Sequence, residues 1–296
     1  MFIYSQISSN KTKTWLIIIL FVLFIPTVVY IYGQATGYGL TIVGIALVLS
    51  GLTSLGSYYY SDKLILTMSS AKKASKSEYP QFYRVVENLC IATGMPMPNF
   101  YVINDLSPNA FATGRDPKHA VICATTGILE KLNKTELEGV MAHELSHIKN
   151  YDIRLMSIVV ILVGLVAILA DLFLRSLWFG GQRRRSGSAQ GIFLLIGIVL
   201  ALLSPIIATL IKLAVSRKRE FLADASGALV TRYPEGLASA LEKIALDKQP
   251  LKSANNATAH LFIENPFRGK DVHNWFTGLF NTHPPVEERI RILRSM

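Results

Sequence analysis

Two stretches of this chain contain no charged residue, residues 15–32 and residues 40–60. Each predicts an apolar helix long enough to cross a hydrocarbon core of about 30 Å. Trp15, Tyr30 and Tyr32 border the first and Tyr58, Tyr59 and Tyr60 close the second, as amphipathic rings do at a membrane interface. The connecting residues 33–39 are uncharged, whereas Lys11 and Lys13 precede the first run and Lys63, Lys72 and Lys73 follow the second. That asymmetry puts both ends of the hairpin on the cytosolic side. Lysines ahead of an apolar run also mark a cleaved signal peptide, but a second run follows at once with no small-residue cleavage site between them, so a retained anchor is the expectation.

A second pair of apolar stretches covers residues 157–179 and 191–211, and here the pattern conflicts with itself. Asp171 and Arg175 interrupt the first member at a spacing that lets them pair across one helical turn, and Arg183, Arg184 and Arg185 sit in the connection. Two crossings are expected, with a shallow or re-entrant hairpin packed on the protein as the competing reading. Pro205 would kink the second member.

Between the hairpins the periodicity changes. Residues 80–93 read as an amphipathic helix ended by Gly94-Met95-Pro96-Met97-Pro98, and residues 100–103, 110–112 and 120–124 read as short strands. A further helix is predicted from Leu137, Val140, Met141, Leu145 and Ile148 at helical spacing, opened by a capping box of Thr135 and Glu138 and stopped near Asn150. Residues 248–278 are polar, Asn-rich and without period, and read as a loop or a flap.

Composition agrees with a membrane protein. The chain is 51% hydrophobic and 17% charged, with a mean hydropathy of +0.36, against about a quarter charged in soluble domains. Its net charge of +10 suits an anionic cytosolic leaflet, because many of the basic residues flank the apolar runs, and nucleic acid is not expected as a partner. Cys90 and Cys123 form no close-spaced pair, so free buried thiols are expected. The sequons at Asn10, Asn133 and Asn256 fall in segments assigned to the cytosol and read as coincidental.

The chemistry lies in His143-Glu144-Leu145-Ser146-His147. Two histidines four apart on a helix share one face and can hold one Zn²⁺ through neutral imidazoles; the metal acidifies a water, and the intervening carboxylate takes its proton. The bland alternative is a surface helix carrying two histidines by accident. A catalytic zinc needs a third protein ligand. Six places beyond His147 stands Ile153, which excludes a third histidine at that spacing. Glu220, in Arg219-Glu220-Phe221-Leu222-Ala223-Asp224, is the best candidate, and Asp224 one turn on could accept a hydrogen bond from a ligand histidine. Glu235, Glu242, Glu264, Glu287 and Glu288 also follow, so spacing alone leaves the choice open. Asp152 could orient the site or be a surface acid at a helix end. His119, His260 and His273 match no ligand spacing and read as surface histidines.

The HELSH helix, the apolar hairpin, Glu-Phe-Leu-Ala-Asp, the upstream Asn109-Ala110-Phe111-Ala112-Thr113-Gly114 and the downstream Thr282-His283-Pro284-Pro285 together resemble the HtpX family of membrane zinc metalloproteases, relatives of the CAAX prenyl proteases and of a mitochondrial stress protease. The resemblance implies His143, His147 and Glu220 as ligands of one zinc ion and Glu144 as catalytic base. It further implies Asp224 behind the ligands and Asn109-Ala110 in an edge strand that holds substrate. It also raises His283, followed six places on by Arg289, as a donor to the oxyanion of peptide hydrolysis. Without it, the strands read as a small structural sheet.

The expected fold is a mainly α membrane protein with a small β-sheet, comprising four hydrophobic helices and a cytosolic α+β zincin-like protease domain. The expected organisation is an N-terminal transmembrane hairpin (1–60), the first half of the protease domain with the zinc helix (61–156), a second hydrophobic hairpin (157–215), and the second half (216–296). The resemblance implies an endopeptidase that cleaves damaged or misfolded membrane proteins on the cytosolic side of the cell membrane. Nothing looks like a phosphate-binding loop, so no ATP is expected. A dedicated prenyl-type or signalling protease, or a non-catalytic adaptor with a structural metal, are the alternatives; retention of Glu144 speaks against the adaptor, since binding zinc does not require it.

Overall fold

The computed structural model describes residues 3–36, 41–162, 164, 217–247, 249–252, 258–264, 266 and 284–296. The uncharged runs are the centres of two long helices, α1 (Ile3–Thr36) and α2 (Thr41–Met68). They pack on each other and leave broad apolar surfaces outward, including Leu23 at 58% exposure and Val48 at 61%. Both are long and apolar enough to cross a membrane by length and composition. α2 runs past the uncharged stretch, and its last turns carry Ile65 and Leu66 into the core of the folded domain.

That domain is built on a four-stranded mixed sheet, β1 (Lys72–Lys73), β2 (Asn99–Ile103), β3 (Ala110–Gly114) and β4 (Ala120–Thr125), in the order β1-β2-β4-β3. β2 and β4 are parallel; the outer pairs are antiparallel. The three predicted strands are present, each longer by one or two residues, and β1 is a pairing that two interfacial lysines gave no hint of. Alternation at period two divides the strands between two cores. Phe100, Val102, Ala112, Ile122 and Ala124 face α3 (Pro80–Thr93), α5 (Lys134–Lys149) and α8 (Pro234–Leu246). Ile103, Phe111, Val121 and Cys123 face the end of α2, helix α6 (152–162) and the segment around Leu251, Leu261 and Phe262. A short α4 (Thr126–Lys131) joins β4 to α5, α7 (Arg217–Thr231) crosses α5, and α9 (Val286–Arg294) packs on α8.

α3 has the predicted bounds, starting at a proline and ending at Gly94, which takes the left-handed conformation (φ 65°) that lacks a Cβ penalty. α5 starts two residues earlier than the predicted capping box. Asn133 is its N-cap: its Oδ1 accepts from Glu136 N at 3.0 Å while Glu136 Oε2 accepts from Asn133 N at 2.9 Å. Thr135 donates to the Asn133 side chain instead of capping anything. Asn-x-x-Glu is as good a reciprocal box as Thr-x-x-Glu, and it sits where the chain is still extended (ψ 175°).

Residues 157–162, the start of the first member of the second apolar pair, are helical and buried in protein; apart from Gly164, the rest of that pair lies outside the described residues. The described part of residues 248–278 docks on the sheet: Ile263 N–H donates to Ala110 O (3.0 Å) and Leu251 N–H to Pro266 O (3.0 Å). The turn Ala259–Leu261 brings His260 inside with it, at 0% exposure, and corrects the expectation of a surface histidine. Flanking Leu261 and Phe262 carry the burial, and a side chain between such anchors follows them in. His119 is exposed as expected and bonds Asp116; His273 lies outside the described residues. Cys90 and Cys123 are free and buried, and burial pushes the Cys90 thiol up to about 11 and Cys123 higher still.

Candidate metal centre

α5 carries His143 and His147 one turn apart, both buried, their rings nearly perpendicular with centroids 4.7 Å apart. Their Nε2 atoms are 3.1 Å apart and face a common point. Glu220, from the first turn of α7, completes a triangle: Oε1 is 3.5 Å from His147 Nε2 and Oε2 is 3.8 Å from His143 Nε2. Tetrahedral ligands about 2.05 Å from a zinc ion stand roughly 3.3 Å from each other. The three separations bracket that value, so the donor set fits a small tetrahedral cation of zinc's preferences.

α7 reaches this position because Gly227, two turns beyond Glu220, lies against α5. A Cβ there would come within 3.1 Å of His143 N and 3.3 Å of Ala142 C. A side chain there would force the two ligand-bearing backbones apart by a few tenths of an ångström.

Each histidine has a carboxylate behind it. His143 Nδ1 is 2.9 Å from Asp224 Oδ1, and His147 Nδ1 is 3.0 Å from Asp152 Oδ2. At His147 the hydrogen bond to Asp152 sets the tautomer with hydrogen on Nδ1 and leaves the Nε2 lone pair facing inward, whereas His143 Nδ1 lies at ion-pair distance from Asp224 without hydrogen-bond alignment. Asp152, which opens α6, is thus hydrogen-bonded to His147 and not a solvated acid at a helix end. Asp224 is in turn gripped by Arg289, whose Nε donates to Oδ2 (2.9 Å) and Nη2 to Oδ1 (2.7 Å). Burial works against the Asp224 charge, but Arg289 outweighs it and holds the carboxyl at about 2.

Arg289 is fully buried and also donates to Ile263 O at 3.2 Å, with Nη1 3.9 Å from Glu220 Oε2. Its fork is committed to Asp224. His283 itself lies outside the described residues. Glu144 is 2% exposed, and burial raises its carboxyl above the usual range even though His143 and His147 pull it down. A raised carboxyl suits proton exchange near neutral pH. At His147 burial opposes a positive charge, but the hydrogen bond to Asp152 and the charges of Glu220, Asp152 and Glu144 prevail and lift it to about 9. The same field favours any cation.

Asn109 and Ala110 stand at the start of β3, the sheet edge on which α5 packs. Asn109 O pairs inward with Thr125 N, so Ala110, Ala112 and Gly114 point their backbone groups away from β4. Ala110 O takes Ile263 N–H, Asn109 Nδ2 donates to Glu264 O at 3.0 Å, and Gly114 N lies 3.4 Å from Ser157 Oγ. Of the buried polar residues around the histidines, reading the sequence missed Arg219 and Asn10. Arg219 could have been flagged by its place beside Glu220; nothing local distinguishes Asn10.

Comparison with known proteins agrees with this geometry. Residues 76–296 match peptidase family M48. The chain is 47% identical over 295 residues to a "Protease HtpX homolog" of Dictyoglomus turgidum, covering 99% of this chain and 94% of the relative. A protein of the same description from Tropheryma whipplei strain Twist is 48% identical over 293 residues, covering 99% and 98%. Among solved structures, the S. mikatae Ste24p crystal structure shares the fold with a TM-score of 0.50 at 17% identity, over 95% of this chain and 67% of that one. With this match running from the sheet through both ligand helices, the chain belongs to peptidase family M48 and is a membrane metalloprotease.

Proposed function

We propose that this metalloprotease is an integral-membrane zinc endopeptidase that cleaves damaged or misfolded membrane proteins on the cytosolic side, without ATP. The observation that carries the reading is the triangle of His143, His147 and Glu220, with His147 hydrogen-bonded at Nδ1 to Asp152 and His143 Nδ1 2.9 Å from Asp224. His143, His147 and Glu220 would hold Zn²⁺, which when bound would supply Lewis acidity toward a water and toward the scissile carbonyl. Glu144, raised by burial, takes the proton of the attacking water and delivers it to the leaving amine. An extended peptide adds to the edge of β3 beside Ala112, next to Ala110 whose carbonyl already takes Ile263 N–H, giving affinity with little demand on sequence, and His283 donates to the oxyanion. The lysines flanking α1 and α2 favour a cytosolic centre, and the domain is then assembled from 61–156 and 216–296 around a hydrophobic hairpin, 157–215. A dedicated prenyl-type or signalling protease is the second reading; the open, exposed α1–α2 pair favours the first.

Glu144→Gln should keep the metal and the fold and abolish cleavage, measured as fragments of a membrane substrate in cells carrying either form; unchanged turnover refutes the assigned base. Glu220→Ala should lower zinc content by orders of magnitude, and normal content by elemental analysis would exclude Glu220 as a ligand.

A further inference from the structure

The first hydrophobic helix reaches into the metal centre. Asn10 lies five residues before Trp15, where the uncharged run starts, yet it is 1% exposed. Its Nδ2 donates to Asp152 Oδ1 at 2.7 Å and to Asn150 O at 2.9 Å, and its Oδ1 accepts from Arg219 Nη1 at 3.4 Å. These partners dictate the amide's orientation, because the reversed amide would set its carbonyl against a carboxylate and a carbonyl, and its N–H groups against a guanidinium. Asp152 uses its other oxygen on His147 Nδ1. Asn150 is the C-cap of α5, which carries both histidines. One buried amide thus holds the end of the ligand helix and the acid that orients one ligand.

Its neighbours make this contact the seat of α1. Asn10, Thr14, Ile17 and Phe21 form a buried stripe along the helix, and the Lys11 ammonium lies 4.4 Å from the centre of the Tyr151 ring. Thr14 donates to Asn10 O within its own helix and, among the described residues, makes no hydrogen bond to the site.

We propose that Asn10 is a positioning residue of the metal centre, through which docking of the N-terminal hydrophobic helix sets Asp152 and thereby the orientation of His147. This rests on the reading that His143, His147 and Glu220 hold zinc. Groups that orient ligands from behind contribute roughly 10–100-fold to metal affinity, and Asn10 acts through such a group.

The test uses the full chain in detergent on a Glu144→Gln background, which removes the assigned base and leaves the three ligands in place. Zinc affinity is measured by competition with a chelator, and the Co²⁺ form by its visible spectrum. Asn10→Ala is expected to weaken zinc binding by roughly tenfold or more and to shift the cobalt bands, and Asn10→Ala with Asp152→Ala to bind no more weakly than Asp152→Ala alone. Thr14→Val is expected to bind like the parent. The positioning role is overturned if Asn10→Ala keeps parental affinity and spectrum, if the two losses multiply in the double variant, or if Thr14→Val loses as much. Should Asn10→Ala not accumulate, Asn10→Ser is read against the same outcomes. A parent chain that binds no zinc overturns the metal assignment itself, a result separate from all of these.

Discussion

Asp224 shows how far the chemistry of one side chain depends on its partner. Alone in a buried place it would be protonated; with Arg289 bidentate on it, it holds its charge down to about 2, below its ordinary 3.8. Because the folded value is the lower one, the charge contributes stability at pH above about 4, and that contribution is lost as pH falls from 3.8 towards 2. The shift corresponds to about 2 kcal/mol. Between pH 5 and pH 2.5, wild type should lose roughly that much more stability than Asp224→Asn in thermal or denaturant unfolding; equal losses would show that the pair does not hold the proton off. The motif histidines were legible because i, i+4 spacing is itself geometry on a helix. Glu220 was the best of several acids by spacing and a ligand by the family resemblance, and the placement of α7 is what brings it to the histidines; the partner of Arg289 was not legible, because its burial on Asp224 depends on the packing of two distant helices.

At the scale of elements, the centre exists because α5 and α7 approach almost backbone to backbone at Gly227. Gly227→Val should push α7 outward, destabilise the fold by about 1–3 kcal/mol through overpacking, and lower zinc affinity together with stability. Retention of both, measured by unfolding and chelator competition, would show that the crossing has slack. The strands and α3 could be read from period and punctuation, since both are local. The α5 cap was found two residues from its expected place, because adjacent polar residues offer two equivalent reciprocal boxes and only the backbone decides which one is extended. The docking of residues 258–264 on the edge of β3 had no periodic signal, since Ile263 bonds Ala110 through backbone groups that any residue supplies.

The whole molecule joins a pair of apolar helices to a folded protease domain without a linker: α2 ends inside the core and α1 ends its buried stripe at the metal centre. If the lysine asymmetry sets orientation as proposed, a cysteine placed at exposed Lys76, on a background lacking Cys90 and Cys123, should react with an impermeant thiol reagent in inverted membrane vesicles and not in intact cells. Labelling in intact cells would put the centre on the other side. Hydropathy, charge asymmetry and the spacing of two histidines and a glutamate are properties of neighbouring residues, so the chain alone determined two apolar helices, a short mixed set of strands and a metal-binding helix. Which distant acid joins the histidines, where Arg289 spends its charge, and that Asn10 stands behind His147 were decided only in three dimensions. Those choices pair residues 147 with 220, 224 with 289 and 10 with 152, and no local periodicity records which remote side chain will share a buried site once folding has removed the water between them.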